Sequence, residues 1–127
     1  MPSNTVRAAT EGLPKISSTH HASALSFMST KKQRGTGIDY WLVASTGRYG
    51  EDCEAGRALA AEYLAYIGEQ PTVGNASLLT CIVRDMIDQA KAGSGWSGVH
   101  AGFLRQINEY AMAAARVIHA GSKGGAA

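Results

Sequence analysis

The stretch Leu78-Leu79-Thr80-Cys81-Ile82-Val83-Arg84-Asp85-Met86-Ile87-Asp88-Gln89-Ala90 decides the fold class. Its apolar residues, Leu78, Leu79, Ile82, Val83, Met86, Ile87 and Ala90, recur at spacings of three and four, which is the period of a helix and not the alternation of a strand. They form a stripe covering nearly half the circumference. So broad a face predicts a central helix between two neighbours, exposing mainly Arg84, Asp85, Asp88 and Lys91. Pro71 and Gly74 punctuate the chain before it, Asn75 or Ser77 can cap it, and Gly93 ends it. Arg84 and Asp88 form an i,i+4 pair in the less favourable order, worth at most a few tenths of a kcal/mol.

Upstream, Glu51, Asp52 and Glu54 crowd one turn, where carboxylates favour the positive end of a helix dipole. Ala55 to Ile67 contains no proline and mostly strong helix formers, so a helix is predicted from near Glu51 to a stop at Gly68. Its apolar face runs Gly56, Leu59, Ala60, Tyr63 and Ile67, with Arg57 and Glu62 directed elsewhere. Gly56 and Ala60 are small residues one turn apart, a spacing that lets another backbone approach closely; ordinary tight packing is the expectation here.

Downstream, Ser97 is placed to cap a third and longest helix after Gly93-Ser94-Gly95. Val99, Phe103, Ile107, Tyr110, Ala111, Ala114, Val117 and Ile118 keep the helical period, and Gly121 is the expected stop. Ala111, Ala113, Ala114 and Ala115 predict close packing along its second half. Ile38 to Ser45 reads two ways. Thr36 and Asp39 have capping-box spacing and favour a short helix, whereas Tyr40, Trp41 and Val43 are strand residues that could pair with Ala22 to Met28 in a short β-hairpin within 22–45. The helix is preferred.

The fold class expected is therefore all-α: a small antiparallel bundle of three to four helices over residues 38–121, preceded by a flexible arm over 1–37 and followed by a flexible tail over 122–127. Charge divides along the same line. Residues 1–37 carry Arg7, Lys15, Lys31, Lys32 and Arg34 against Glu11, a balance of +4, while the remainder balances at −2, giving the net +2 of the 127-residue chain. A cationic arm gains from counterion release on nucleic acid or from an acidic protein surface, which makes Lys31, Lys32, Arg34 and Arg48 the candidates for such a contact. A solvated tail is the plainer reading.

Other classes are poorly supported. No apolar run approaches the ~20 residues that cross a bilayer, and no hydrophobic segment follows the polar start, so a cytoplasmic location is expected. Cys53 and Cys81 are the only two cysteines, too few for a disulfide scaffold, and are expected as reduced, buried thiols. His20, His21, His100 and His119 share no metal-ligand spacing with them, and no cofactor motif is present. Glycines and Arg48 in Ser45-Thr46-Gly47-Arg48-Tyr49-Gly50-Glu51-Asp52 suggest an anion loop at a helix start, but Glu51 and Asp52 would repel a phosphate, so a structural turn is expected. The same carboxylates oppose a reactive thiolate at Cys53, and His100 beside a helix start is expected at the surface or as a cap rather than as a general base. A helix-turn-helix is disfavoured by the long Gly68 to Gly74 link and by Asp85 and Asp88 on the second helix.

Tyr and Trp outnumber Phe by seven to two. Such amphipathic rings suit protein interfaces, and Trp41, Tyr66 and Trp96, off the main faces or near element ends, are the interface candidates. No family motif is present. In type alone the chain resembles small accessory proteins of phages and mobile elements, including inhibitors of host defence complexes, and that resemblance implies a non-enzymatic binding protein. The expectation is a helical protein-interaction module, acting as a homodimer or as an inhibitor of a larger complex; the alternative is nucleic-acid binding or regulation through the basic arm.

Overall fold

The computed structural model describes residues 25–30, 37–93 and 95–126. Among these it is mostly helical, with strands β1 (Ser29–Thr30) and β2 (Ile38–Asp39) followed by helices α1 (Tyr49–Glu69), α2 (Val73–Ala76), α3 (Leu78–Ala92) and α4 (Gly98–Ala126). The all-α class expected from the periodicity holds. Two compact units divide the described residues: 25–44 with 62–95, and 45–61 with 96–126.

In the first unit, β1 and β2 pair antiparallel, Ser29 opposite Asp39 and Thr30 opposite Ile38. A strand pair therefore lies within 22–45, but between Ser29–Thr30 and Ile38–Asp39 rather than between Ala22–Met28 and the Tyr40–Val43 segment, and the helix preferred for 38–45 is not formed. The cause is where the backbone donors go. Gly37 takes a φ of 89°, the Tyr40 N–H donates to Asp85 Oδ2 at 2.8 Å, and the Leu42 N–H donates to the Phe27 carbonyl at 2.8 Å. Donors satisfied by other parts of the chain leave no gain in closing helical bonds between neighbours.

Leu25, Phe27, Met28 and Trp41 are buried, as are Tyr63, Leu78, Ile82 and Met86, so the core takes in residues 25–28, which the sequence assigned to the arm. Three helix side chains grip the backbone of 25–44. Glu62 accepts from the Ser26 N–H at 2.7 Å and from its hydroxyl at 2.6 Å; Asp85 holds Tyr40; and Gln89 Nε2 donates to the Trp41 carbonyl. Asp85 was expected in solvent and is instead buried. Arg84 accordingly lies beside Asp85, at 4.0 Å, where the sequence suggested Asp88.

The link before α3 forms its own turn of helix. Thr72 caps this turn, its side chain accepting from the Asn75 N–H at 3.1 Å, and Ser77 takes the N-cap position of α3 as one of the two expected residues. Asn75 is buried and donates through Nδ2 to the Gln70 carbonyl, while the Ser77 hydroxyl turns to the Gly74 carbonyl and makes no side-chain cap. Of the broad stripe on α3, Leu78, Ile82 and Met86 are buried, and Ile87 is exposed at its edge.

The second unit is built on backbone proximity. A Cβ on Gly56 would overlap the Val99 carbonyl oxygen and stand 2.8 Å from the Phe103 nitrogen. One on Gly98 would stand 2.6 Å from the Tyr49 carbonyl oxygen, and one on Gly102 would overlap the Cys53 carbonyl oxygen. The Gly56/Ala60 pair is thus used for tight packing within the chain, as expected, and is met by Gly98 and Gly102 one turn apart on α4. Residue numbers rise together along the two contact faces, so the 49–56 part of α1 and the 98–103 part of α4 run in the same direction. Ala60, Val99 and Phe103 complete this core.

Of the three expected glycine stops, Gly93 ends α3 as its C-cap and α1 runs one residue past Gly68 to Glu69, whereas Gly121 lies inside α4 without ending it. In that interior position a glycine costs the helix about 1 kcal/mol relative to Ala.

Candidate interaction surface

The position of the surface follows from how α4 starts. Ser97 caps it as predicted, its hydroxyl accepting from the Val99 N–H at 3.2 Å, and His100 reciprocates by accepting the Ser97 N–H on Nδ1 at 2.9 Å. This is a capping box with His in the place usually held by Glu or Gln. Accepting that N–H requires a lone pair on Nδ1, so the ring proton of the neutral form sits on Nε2. Burial pushes the His100 pKa below the ordinary histidine value. The exposed Trp96 ring meets the imidazole edge-on, with centroids 4.5 Å apart.

Beyond this cap, the glycine contacts hold α4 against α1 as far as Phe103, and Glu109 is the last residue tied to it. Glu109 accepts from Arg57 at 3.2 Å and from Arg105 at 3.1 Å, and its pKa is lowered first by the Arg105 hydrogen bond and then by that of Arg57. From Tyr110 to Gly121 every residue is exposed. Tyr110, Met112, Val117 and Ile118 are among them, the last two at 72% and 67%. The alanines expected to pack the second half of this helix, Ala111, Ala113, Ala114 and Ala115, are exposed as well. The amphipathic pattern of the sequence is present, but its distal half is exposed along its whole circumference.

The anion loop is filled by the chain itself. The Asp52 carboxylate accepts from the Thr46 N–H at 3.1 Å, the Thr46 hydroxyl at 2.8 Å and the Gly47 N–H at 3.3 Å. Burial alone would raise its pKa, but these hydrogen bonds and nearby Arg48 outweigh it and hold the carboxyl below the usual range. Arg48 itself pairs with Glu51 at 2.8 Å in solvent. These bonds build the segment into a turn closed by Asp52, with Arg48 on its exposed side.

Trp41, a candidate for an exposed aromatic cluster, is 1% exposed and packs on Phe27 with ring centroids 5.4 Å apart. Tyr66 is half-buried, and Trp96 alone of the three is exposed, at 53%. Lys31, Lys32 and Arg34 lie outside the described residues. Cys53 and Cys81 are free and half-buried. A hydrogen bond with Cys53, followed by the electrostatic effect of that thiol, raises the Tyr49 pKa, while burial and then Cys81 raise that of Tyr40. Among the described residues no group of three or more His, Cys, Asp or Glu is placed to hold a metal ion, and no helix is long and apolar enough to cross a membrane. Comparison with protein-family models, curated proteins and solved structures returned no match.

Proposed function

We infer that this protein acts by binding another protein, and that its contact face is the apolar side of α4 between Tyr110 and Ile118. One observation carries the reading: twelve successive helical residues, Tyr110 to Gly121, are exposed although four of them are large and apolar. Contiguous exposed apolar surface is the ordinary mark of an interaction site, and a helical run of about this length is marginal in water without a packing partner. A helix presenting such a face fits the helix-in-groove and helix-pair modes of recognition. Action by occupying a surface, as an inhibitor or subunit of a larger complex does, needs no catalytic group.

Charge favours a protein over a nucleic acid on this face. Between positions 110 and 121 the ionisable groups other than Tyr110 are Arg116 and His119, whereas phosphate contacts draw on several Lys or Arg side chains. The test is a photo-crosslinking residue placed at 118, with exposed Glu69 as the control position. A protein adduct from 118 and none from 69 is expected in cells expressing the chain at its native level. Equal adducts from both positions, or none from 118, would remove this reading.

A further inference from the structure

The geometry points to a second copy of this chain as the occupant of the α4 face, docked antiparallel about the midpoint between Ala111 and Ala114. This rests on the binding role inferred above for that face. At 100° per residue, Ile107, Ala111, Ala114 and Ile118 fall within about 60° of one another on the helix. Their order, Ile-Ala-Ala-Ile at spacings of four, three and four, reads the same in both directions. Turned end for end, the stripe places Ile107 against Ile118 of the second copy and Ala111 against Ala114 of the second copy, both at once.

The flanks agree. Tyr110 and Val117 lie along one edge of the stripe within about 20° of each other, and the same reversal brings each beside the other across the pair. Small residues stand at the centre of the seam and large ones at its ends, so the Ala pair lets the backbones approach while the isoleucines close the two ends. Glu109 and Arg116, the nearest charges, are on the opposite side of the helix, so the seam meets its copy without like-charge repulsion and offers a strongly charged partner nothing to pair with.

Size sets the strength. Residues 107–118 span about 18 Å, little more than three turns. A single seam of that length falls short of the ~1,200 Å² at which stable interfaces begin, so the dimer is weak and reversible.

Sedimentation velocity of the full chain from micromolar to near-millimolar concentration tests this, with circular dichroism confirming unchanged helicity in each variant. The wild type is expected to pass reversibly from monomer to dimer, and Ile118→Glu to remain monomeric. Orientation is read from two double variants. Ala111→Glu with Ala114→Lys keeps the antiparallel dimer, because unlike charges then face each other, and Ala111→Glu with Ala114→Glu abolishes it; a parallel pair would lose both. A monomeric wild type, a dimer indifferent to Ile118→Glu, or loss of the Glu/Lys variant would each overturn the proposal. A monomeric wild type that still crosslinks from position 118 to a different protein removes only the self-pairing, and the absence of any protein adduct removes the binding role with it.

Discussion

Gly102 lies so close to Cys53 that a Cβ at position 102 would stand 2.8 Å from the Cys53 carbonyl carbon. Backbone cannot step aside as a flexible side chain can. Gly102→Ala is therefore expected to destabilise the fold by about 3 kcal/mol, the upper part of the overpacking range, despite the gain in helix propensity. Gly121→Ala is the control, with nothing within 4 Å of its added Cβ. It should stabilise α4 by about 0.5–1 kcal/mol. Urea denaturation of both variants checks the contrast, and similar midpoints would contradict the close approach.

The two tryptophans should behave oppositely. Trp41→Ala removes a fully buried indole and is expected to cost about 3–5 kcal/mol, whereas Trp96→Ala changes stability by about 1 kcal/mol or less. Fluorescence gives an independent check. With Trp96→Phe, the remaining emission should be blue-shifted and resist iodide quenching.

His100 makes the start of α4 sensitive to acid. Its folded pKa lies below the unfolded value, so the neutral ring contributes stability that is fully present above about pH 6.5 and is lost as pH falls through the folded pKa. The thermal midpoint is expected to fall between pH 7 and pH 5. His100→Gln retains an acceptor for the Ser97 N–H without a charge change in that range, and its midpoint should fall less over the same interval. Parallel curves for the two proteins would assign the pH dependence to other groups.

Asp85 fixes the hairpin by a single acceptor. Asp85→Ala leaves the Tyr40 N–H without its partner and is expected to cost about 1–3 kcal/mol. Amide exchange should accelerate at Tyr40 and Leu42 before it does in the middle of α3.

The helices were legible in the sequence because each carries its own evidence: the 3.6-residue period of Leu78 to Ala90, the acidic first turn at Glu51, the cap at Ser97. The hairpin was not, because its cause is remote. Nothing local to Tyr40 indicates that Asp85, forty-five positions away, will take its N–H, and Glu62, Asp85 and Gln89 look like the polar side of their helices. Trp41 near an element end looked free for the same reason, its Phe27 partner lying across the hairpin. The candidate surface was half visible. Periodicity marked Tyr110 to Ile118 as an apolar face, but only the positions of Gly56, Gly98 and Gly102 show where the packing against α1 occurs and hence which part of that face remains open.

Those three glycines also bear on ancestry. A position where any side chain strikes backbone admits one residue, while the exposed alanines of α4 can drift. Kin of this chain should therefore keep Gly56 on one helix and Gly98 with Gly102, four residues apart, on the other after most of the exterior has diverged, and that pattern is the thread by which distant descendants can be traced.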